Sequence, residues 1–203
     1  MLYLNQNDYP EIKYPTHAEE KDHPSHNNTV VEAGCGLCAA CMAVDRLSLE
    51  PFTLTECRDL SVKTKANHAS GTDMQILGPA VAEKFDLDYE ETSNIEEVIK
   101  CLREGGAVVI LTGGDYEGHI GIFTHGGHFI TAISYSDGEF CILDPSLKDG
   151  KFDQKGRKGK VRVNGSFVYA STEVIAMEAA NRDPSYYLFR RKDGKRGEKH
   201  SEK

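Results

Sequence analysis

At 203 residues, with 39% hydrophobic residues and no Trp, the chain has the size of one domain with a modest core. Its net charge of −8 argues against nucleic acid as a partner, because binding phosphates needs a basic face. No apolar stretch reaches the roughly 18–20 residues of a membrane span. The first residues carry neither a basic nor a long apolar segment, so no signal peptide is legible and a cytoplasmic location is the expectation.

In chain order, a short extended segment closes at Tyr9-Pro10, and a polar, His-rich stretch over about residues 15–28 reads as an insertion. A helix is expected from about Cys35 to Leu47, where small residues precede larger apolar ones. Thr53 and Glu56 have capping-box spacing and open a second helix. A third is expected from about Thr72 through Ile76, Leu77, Ala80 and Val81 to Phe85. A fourth follows Asn94, with Ile95, Val98, Ile99 and Leu102 on one face and Gly105 as its stop.

The texture then changes to strands over 107–111, 127–135 and 139–143, the last two joined by the turn signal Ser136-Asp137-Gly138. Further strands over 161–163 and 186–189 flank a short helix over 172–179. Helices first and an antiparallel sheet second make an α+β domain. Charge follows this division: residues 1–147 carry 9 Lys and Arg against 24 Asp and Glu, whereas residues 148–203 carry 15 against 8. The basic run from Lys148 to Arg162 reads as a solvated loop. A tail over 192–203 reads as disordered, leaving residues 1–191 as the domain.

Three of the six cysteines, Cys35, Cys38 and Cys41, share one side of the first helix, where disulfide geometry is out of reach. Cys57, Cys101 and Cys141 fall in apolar patterns and read as buried thiols, so a reduced protein is expected. Cys35 differs from the rest. It sits between Gly34 and Gly36 in the first turn of its helix, where unpaired N–H groups and the macrodipole stabilise a thiolate. A nearby neutral histidine would take its proton.

His128 is the leading base, since it opens a strand that can aim it. His119 and His125, in a glycine-rich loop, are alternatives that read more simply as surface decoration. Asp144, in Leu143-Asp144-Pro145 at the end of the next strand, would orient His128, because a hairpin brings the two strand ends side by side.

These features, taken in order, resemble the papain-like cysteine peptidases related to the bacteriocin-processing leader peptidases, cysteine peptidase family 39 and its stand-alone bacterial relatives. The resemblance rests on the opening segment Tyr3-Leu4-Asn5-Gln6-Asn7-Asp8-Tyr9-Pro10, the Gly-Cys-Gly helix start, the Gly127-His128-Phe129 strand and Asp144-Pro145. It implies a papain-like α+β fold, hydrolysis of a peptide bond, a Cys35-His128-Asp144 triad, and Gln6 as an oxyanion donor beside the Cys35 backbone N–H. Where those proteins continue with Pro-Thr, this chain has Leu37-Cys38.

The implied partner is a peptide or protein substrate, and the acidic composition favours a basic segment in it. No cofactor is implied. A metal site is not expected either: Cys35-x-x-Cys38-x-x-Cys41 lacks the next cluster cysteine, with Asp45 in its place, and no second ligand pair exists. His17, His23 and His26 could hold a metal only adventitiously. Another thiol-dependent acyl transfer (an amidase or transpeptidase) or a non-catalytic peptide-binding module would use the same residues.

Overall fold

A computed structural model describes residues 1–16, 29–68 and 71–192. His17, His23 and His26, most of the 15–28 insertion and the tail after Lys192 lie outside the described residues. Among the described residues six α-helices and seven strands follow one another: α1 (Val30–Ala33), α2 (Cys35–Leu47), α3 (Leu54–Lys63), α4 (Met74–Lys84), β1 (Leu87–Thr92), α5 (Ile95–Arg103), β2 (Ala107–Thr112), β3 (His128–Ser136), β4 (Glu139–Leu143), β5 (Val161–Asn164), β6 (Phe167–Ser171), α6 (Thr172–Ala179) and β7 (Tyr186–Arg191). Among the described residues the strands form one antiparallel sheet in the order β1-β7-β2-β3-β4-β6-β5. No helix of the described residues is long and apolar enough to cross a membrane.

Two cores follow from the period-2 alternation of the central strands. Val109, Phe129 and Ile133 pack with α2, α3 and α4. Val108, Ile110, Ile130 and Ala132 pack on the other face with residues of α5 and α6. Burial on both faces is why residues 107–111 read as a continuous apolar run. Helix α2 is the pivot of the first core: Leu37, Met42 and Val44 are fully buried, and Thr131 Oγ1 on β3 donates to Ala39 O at 2.9 Å.

The caps are as expected. Thr53 and Glu56 form the capping box of α3, and Asn94 accepts from Glu96 N–H at the start of α5. Asp137 and Gly138 both take positive φ, +54° and +83°, as a two-residue hairpin turn requires.

Several elements depart from the sequence reading. The opening segment is not simply extended, since Gln6–Asp8 forms a 3-10 turn capped by the Asn5 side chain. Strands β1 and β6 and the short α1 were not expected. In β1, Leu87 is the one buried residue of Leu-Asp-Tyr-Glu-Glu-Thr, because an edge strand with one neighbour leaves its charges in solvent. β1 also breaks the helices-then-sheet order, since it lies between α4 and α5 and pairs with the last strand. The basic run 148–162 is not a wholly solvated loop: Lys151, Phe152 and Arg157 are buried, and Arg157 Nε donates to Gly121 O at 2.8 Å.

Candidate active site

Packing on both sides dictates the Gly34-Cys35-Gly36 start of α2. A Cβ on Gly34 would lie 2.5 Å from Val30 O, and one on Gly36 would lie 2.7 Å from Thr72 Cβ and 3.2 Å from Phe129 Cδ2. Gly34 lets α1 turn directly into α2, and Gly36 lets the start of α2 press against β3. Cys35 is left partly exposed between them, at the helix terminus that favours an anion.

His128 is the first residue of β3 and Asp144 immediately follows β4, so antiparallel pairing puts both at one end of the sheet. His128 Nε2 lies 2.8 Å from Asp144 Oδ1, and the ring faces the Cys35 thiol closely enough for each to shift the other's pKa. With Nε2 held by the carboxylate, Nδ1 is the nitrogen left for sulfur. Cys35, His128 and Asp144, singled out in the sequence, are thus brought together.

The electrostatics agree with the geometry. Burial pushes the Cys35 thiol up, but the hydrogen bond and charge of His128, with N–H groups of Phe129 and Gly36, outweigh it and leave the pKa lowered. Burial pulls His128 down, yet its bonds to Asp144 and Cys35 raise it from 6.5 to about 9. Burial likewise opposes ionisation of Asp144, but His128 and Lys151 hold its carboxyl well below the usual carboxylate range. Each shift favours a thiolate–imidazolium pair over two neutral groups.

Asp144 is fully buried and fully partnered. Oδ1 accepts from His128 and from the Ser146 N–H at 2.9 Å, and Oδ2 accepts from Lys151 Nζ at 2.5 Å. Ser146 Oγ lies 3.1 Å from His128 Nε2, and accepts from Lys151 Nζ at 2.7 Å. Neither Lys151 nor Ser146 was anticipated. The signal available was the spacing: Ser146 stands two residues past the Asp of an Asp-Pro turn, where its N–H caps the carboxylate. Lys151 carried none.

Gln6 is buried, and its backbone N–H donates to Pro145 O at 2.7 Å. Its side-chain Nε2 donates to Val31 O at 2.7 Å, four residues before Cys35. That carbonyl sets the amide orientation, since two acceptors cannot face each other, and it leaves Oε1 buried and unpartnered. The second N–H of Nε2 makes no hydrogen bond among the described residues. Tyr3 Oη donates to Asp144 O at 2.9 Å, and Asn5 Nδ2 to Leu147 O at 2.6 Å. The opening segment is thereby stitched onto the loop that holds Asp144.

The alternative histidines lie elsewhere. His125 is exposed and paired with Asp115. His119 is not surface decoration: its side chain is only 7% exposed and lies 2.7 Å from the fully buried Glu178, whose carboxylate also accepts from Ile122 and Phe123 N–H. That pair closes the glycine-rich loop rather than serving Cys35. Cys38 and Cys41 are fully buried, with thiols raised well above their usual range chiefly by burial. All six cysteines are free.

Cys35 and His128 open into a cleft of about 270 Å³ between the start of α4 and the sheet, lined also by Asp73, Phe129, Arg182 and Tyr187. A larger hollow of about 500 Å³ lies behind Lys151 and reaches neither Cys35 nor His128.

Two solved structures have this arrangement of elements. One is the peptidase domain of Streptococcus ComA, a bifunctional ABC transporter involved in a quorum-sensing pathway. It is 11% identical, with a TM-score of 0.51 over 78% of this chain and 91% of that one. The other, from Bacillus anthracis and described as a C39-like peptidase, is 13% identical, with a TM-score of 0.54 over 79% of this chain and 90% of that one. The chain has the C39 peptidase fold. No protein-family model and no curated protein matches the sequence. The papain-like α+β architecture read from the motifs is therefore the one observed.

Proposed function

We propose that this chain is a cysteine peptidase of the C39 type, with Cys35 as nucleophile, His128 as acid and base, and Asp144 as the group that orients His128. The observation that carries this reading is the buried His128 ring, bonded to Asp144 at 2.8 Å and sharing a cleft with a thiol at a helix N-terminus whose pKa it lowers. The likeness of fold to C39 peptidase domains supports it.

The Cys35 thiolate attacks the carbonyl carbon of a peptide bond, and the oxygen takes up the negative charge. The Cys35 backbone N–H and the remaining N–H of Gln6 Nε2 stabilise that oxyanion. His128 gives its Nδ1 proton to the departing amine, which leaves an acyl-thioester on Cys35. It then takes a proton from water as the water attacks the thioester, releasing the acid and restoring the thiolate–imidazolium pair. Asp144 keeps the ring in the orientation that presents Nδ1 to sulfur. None of these steps uses a cofactor.

The test is alkylation of Cys35 by iodoacetamide across pH, read by peptide mapping, on the parent and on His128→Ala. Selective labelling at pH ~6, well below the ~8.5 of an ordinary thiol, and its loss in the variant, is the expected result. Slow, unselective labelling of the parent with a midpoint near ~8.5 would overturn the enzyme reading.

A further inference from the structure

The charged groups lining the cleft are nearly all spoken for. Cys35 and His128 offset each other's charge. Asp73 Oδ2 lies 3.0 Å from His68 Nε2, while its Oδ1 accepts from Gln75 N–H at 2.8 Å. Arg182 is the exception. It follows α6 and forms part of the same cleft wall as His128, close enough that a Cβ on Gly127 would lie 3.4 Å from its Nη2. Its Nε is buried without a partner, and its one side-chain hydrogen bond is a long contact of 3.4 Å from Nη2 to Gly113 O. Among the described residues no carboxylate pairs with it. Glu91, on β1 near the cleft, is engaged by Gln75 and Tyr89.

A half-buried guanidinium offers five donors in a planar fork. Nε is closed off from solvent, so Arg182 presents its Nη groups to the cleft, held there by one long protein contact, and a bidentate acceptor would take the place of solvent on them. A substrate carboxylate has that geometry and that charge. Building on the peptidase reading, we propose that Arg182 is a carboxylate-binding subsite of this cleft, so that the preferred substrates carry an acidic group close to the scissile bond. This reverses, within the cleft, the preference for a basic segment that net charge suggests: the charge nearest the nucleophile decides, not the whole-chain sum.

The experiment measures alkylation of Cys35 by N-acetylated peptidyl chloromethyl ketones matched except for Glu, Gln or Lys near the ketone. Each rate is divided by the iodoacetamide rate of the same variant. The parent should favour Glu over Gln at least tenfold. That preference should vanish in Arg182→Gln, persist in part in Arg182→Lys and turn toward the Lys probe in Arg182→Glu. A second arm compares a peptide free acid with its amide as protectants of Cys35. Protection by the acid alone, abolished in Arg182→Gln, assigns the carboxylate to a peptide C-terminus rather than a side chain. Equal Glu, Gln and Lys rates together with equal protection, in a parent whose Cys35 still reacts with iodoacetamide at pH 6, overturn the subsite and leave the peptidase standing. Failure of that iodoacetamide reaction overturns both.

Discussion

Asp144 carries its charge with no solvent contact, and His128, Ser146 and Lys151 share that charge between them. Such a carboxylate is tolerable only while every partner is present. Lys151→Met removes one ammonium donor and should cost about 3 kcal/mol of stability, measurable as a lower urea midpoint. Without the ammonium, more of the carboxylate's charge falls on His128, so the imidazolium of this variant should persist to higher pH than in the parent. Asp144→Asn has the opposite effect on the ring. Its pKa should fall from about 9, read as a lower midpoint of the His128 ring titration by NMR.

Helices α2 and α5 and the β3–β4 hairpin were legible because their signals are local: caps, an apolar face and an Asp-Gly turn lie within a few residues of one another. Strands β1 and β6 were not: β1 displays mostly solvated charge and pairs with β7 at the other end of the described residues, and β6 joins the sheet through β4, across the 144–160 connection. The packing of α4 on β1 offers a direct check. A Cβ on Gly78 would fall 2.3 Å from Cε2 of Tyr89, whose hydroxyl lies 3.1 Å from Met74 O and links the strand to the helix. Gly78→Ala should therefore displace the ring and destabilise the protein by roughly 1–3 kcal/mol, read as a lower Tm.

For the molecule as a whole, the Cys35–His128 pair links stability to pH in two opposing directions. His128, raised from 6.5 to about 9, contributes stability that is complete below pH 6.5 and lost as pH climbs through about 9. Cys35, lowered from 9.0, contributes stability that is complete above pH 9.0 and lost as pH falls through its folded value. Between those limits the folded pair holds its proton on nitrogen and the unfolded pair holds it on sulfur. The proton counts match, and the pair adds little slope. Cys35→Ala removes the compensating titration, so its Tm should fall more steeply than that of the parent from pH 6.5 to 9. Asp144, held low, contributes stability that is present above 3.8 and lost as pH falls below it, so both proteins should weaken in acid.

The sequence by itself determined most of the helices and of the sheet, the candidate nucleophile's place at a helix start and the candidates His128 and Asp144, while Gln6 came from the family resemblance. Periodicity, caps and turn residues act over a few positions, where a linear reading reaches. Only the tertiary structure decided who meets whom. Tyr3 bonds Asp144 across 141 residues, Lys151 turns out of an apparently solvated basic run to neutralise a buried carboxylate, and Arg182 arrives in the cleft unpaired. Those contacts depend on loop closure and on which faces the two cores bury, and no short window of sequence encodes either.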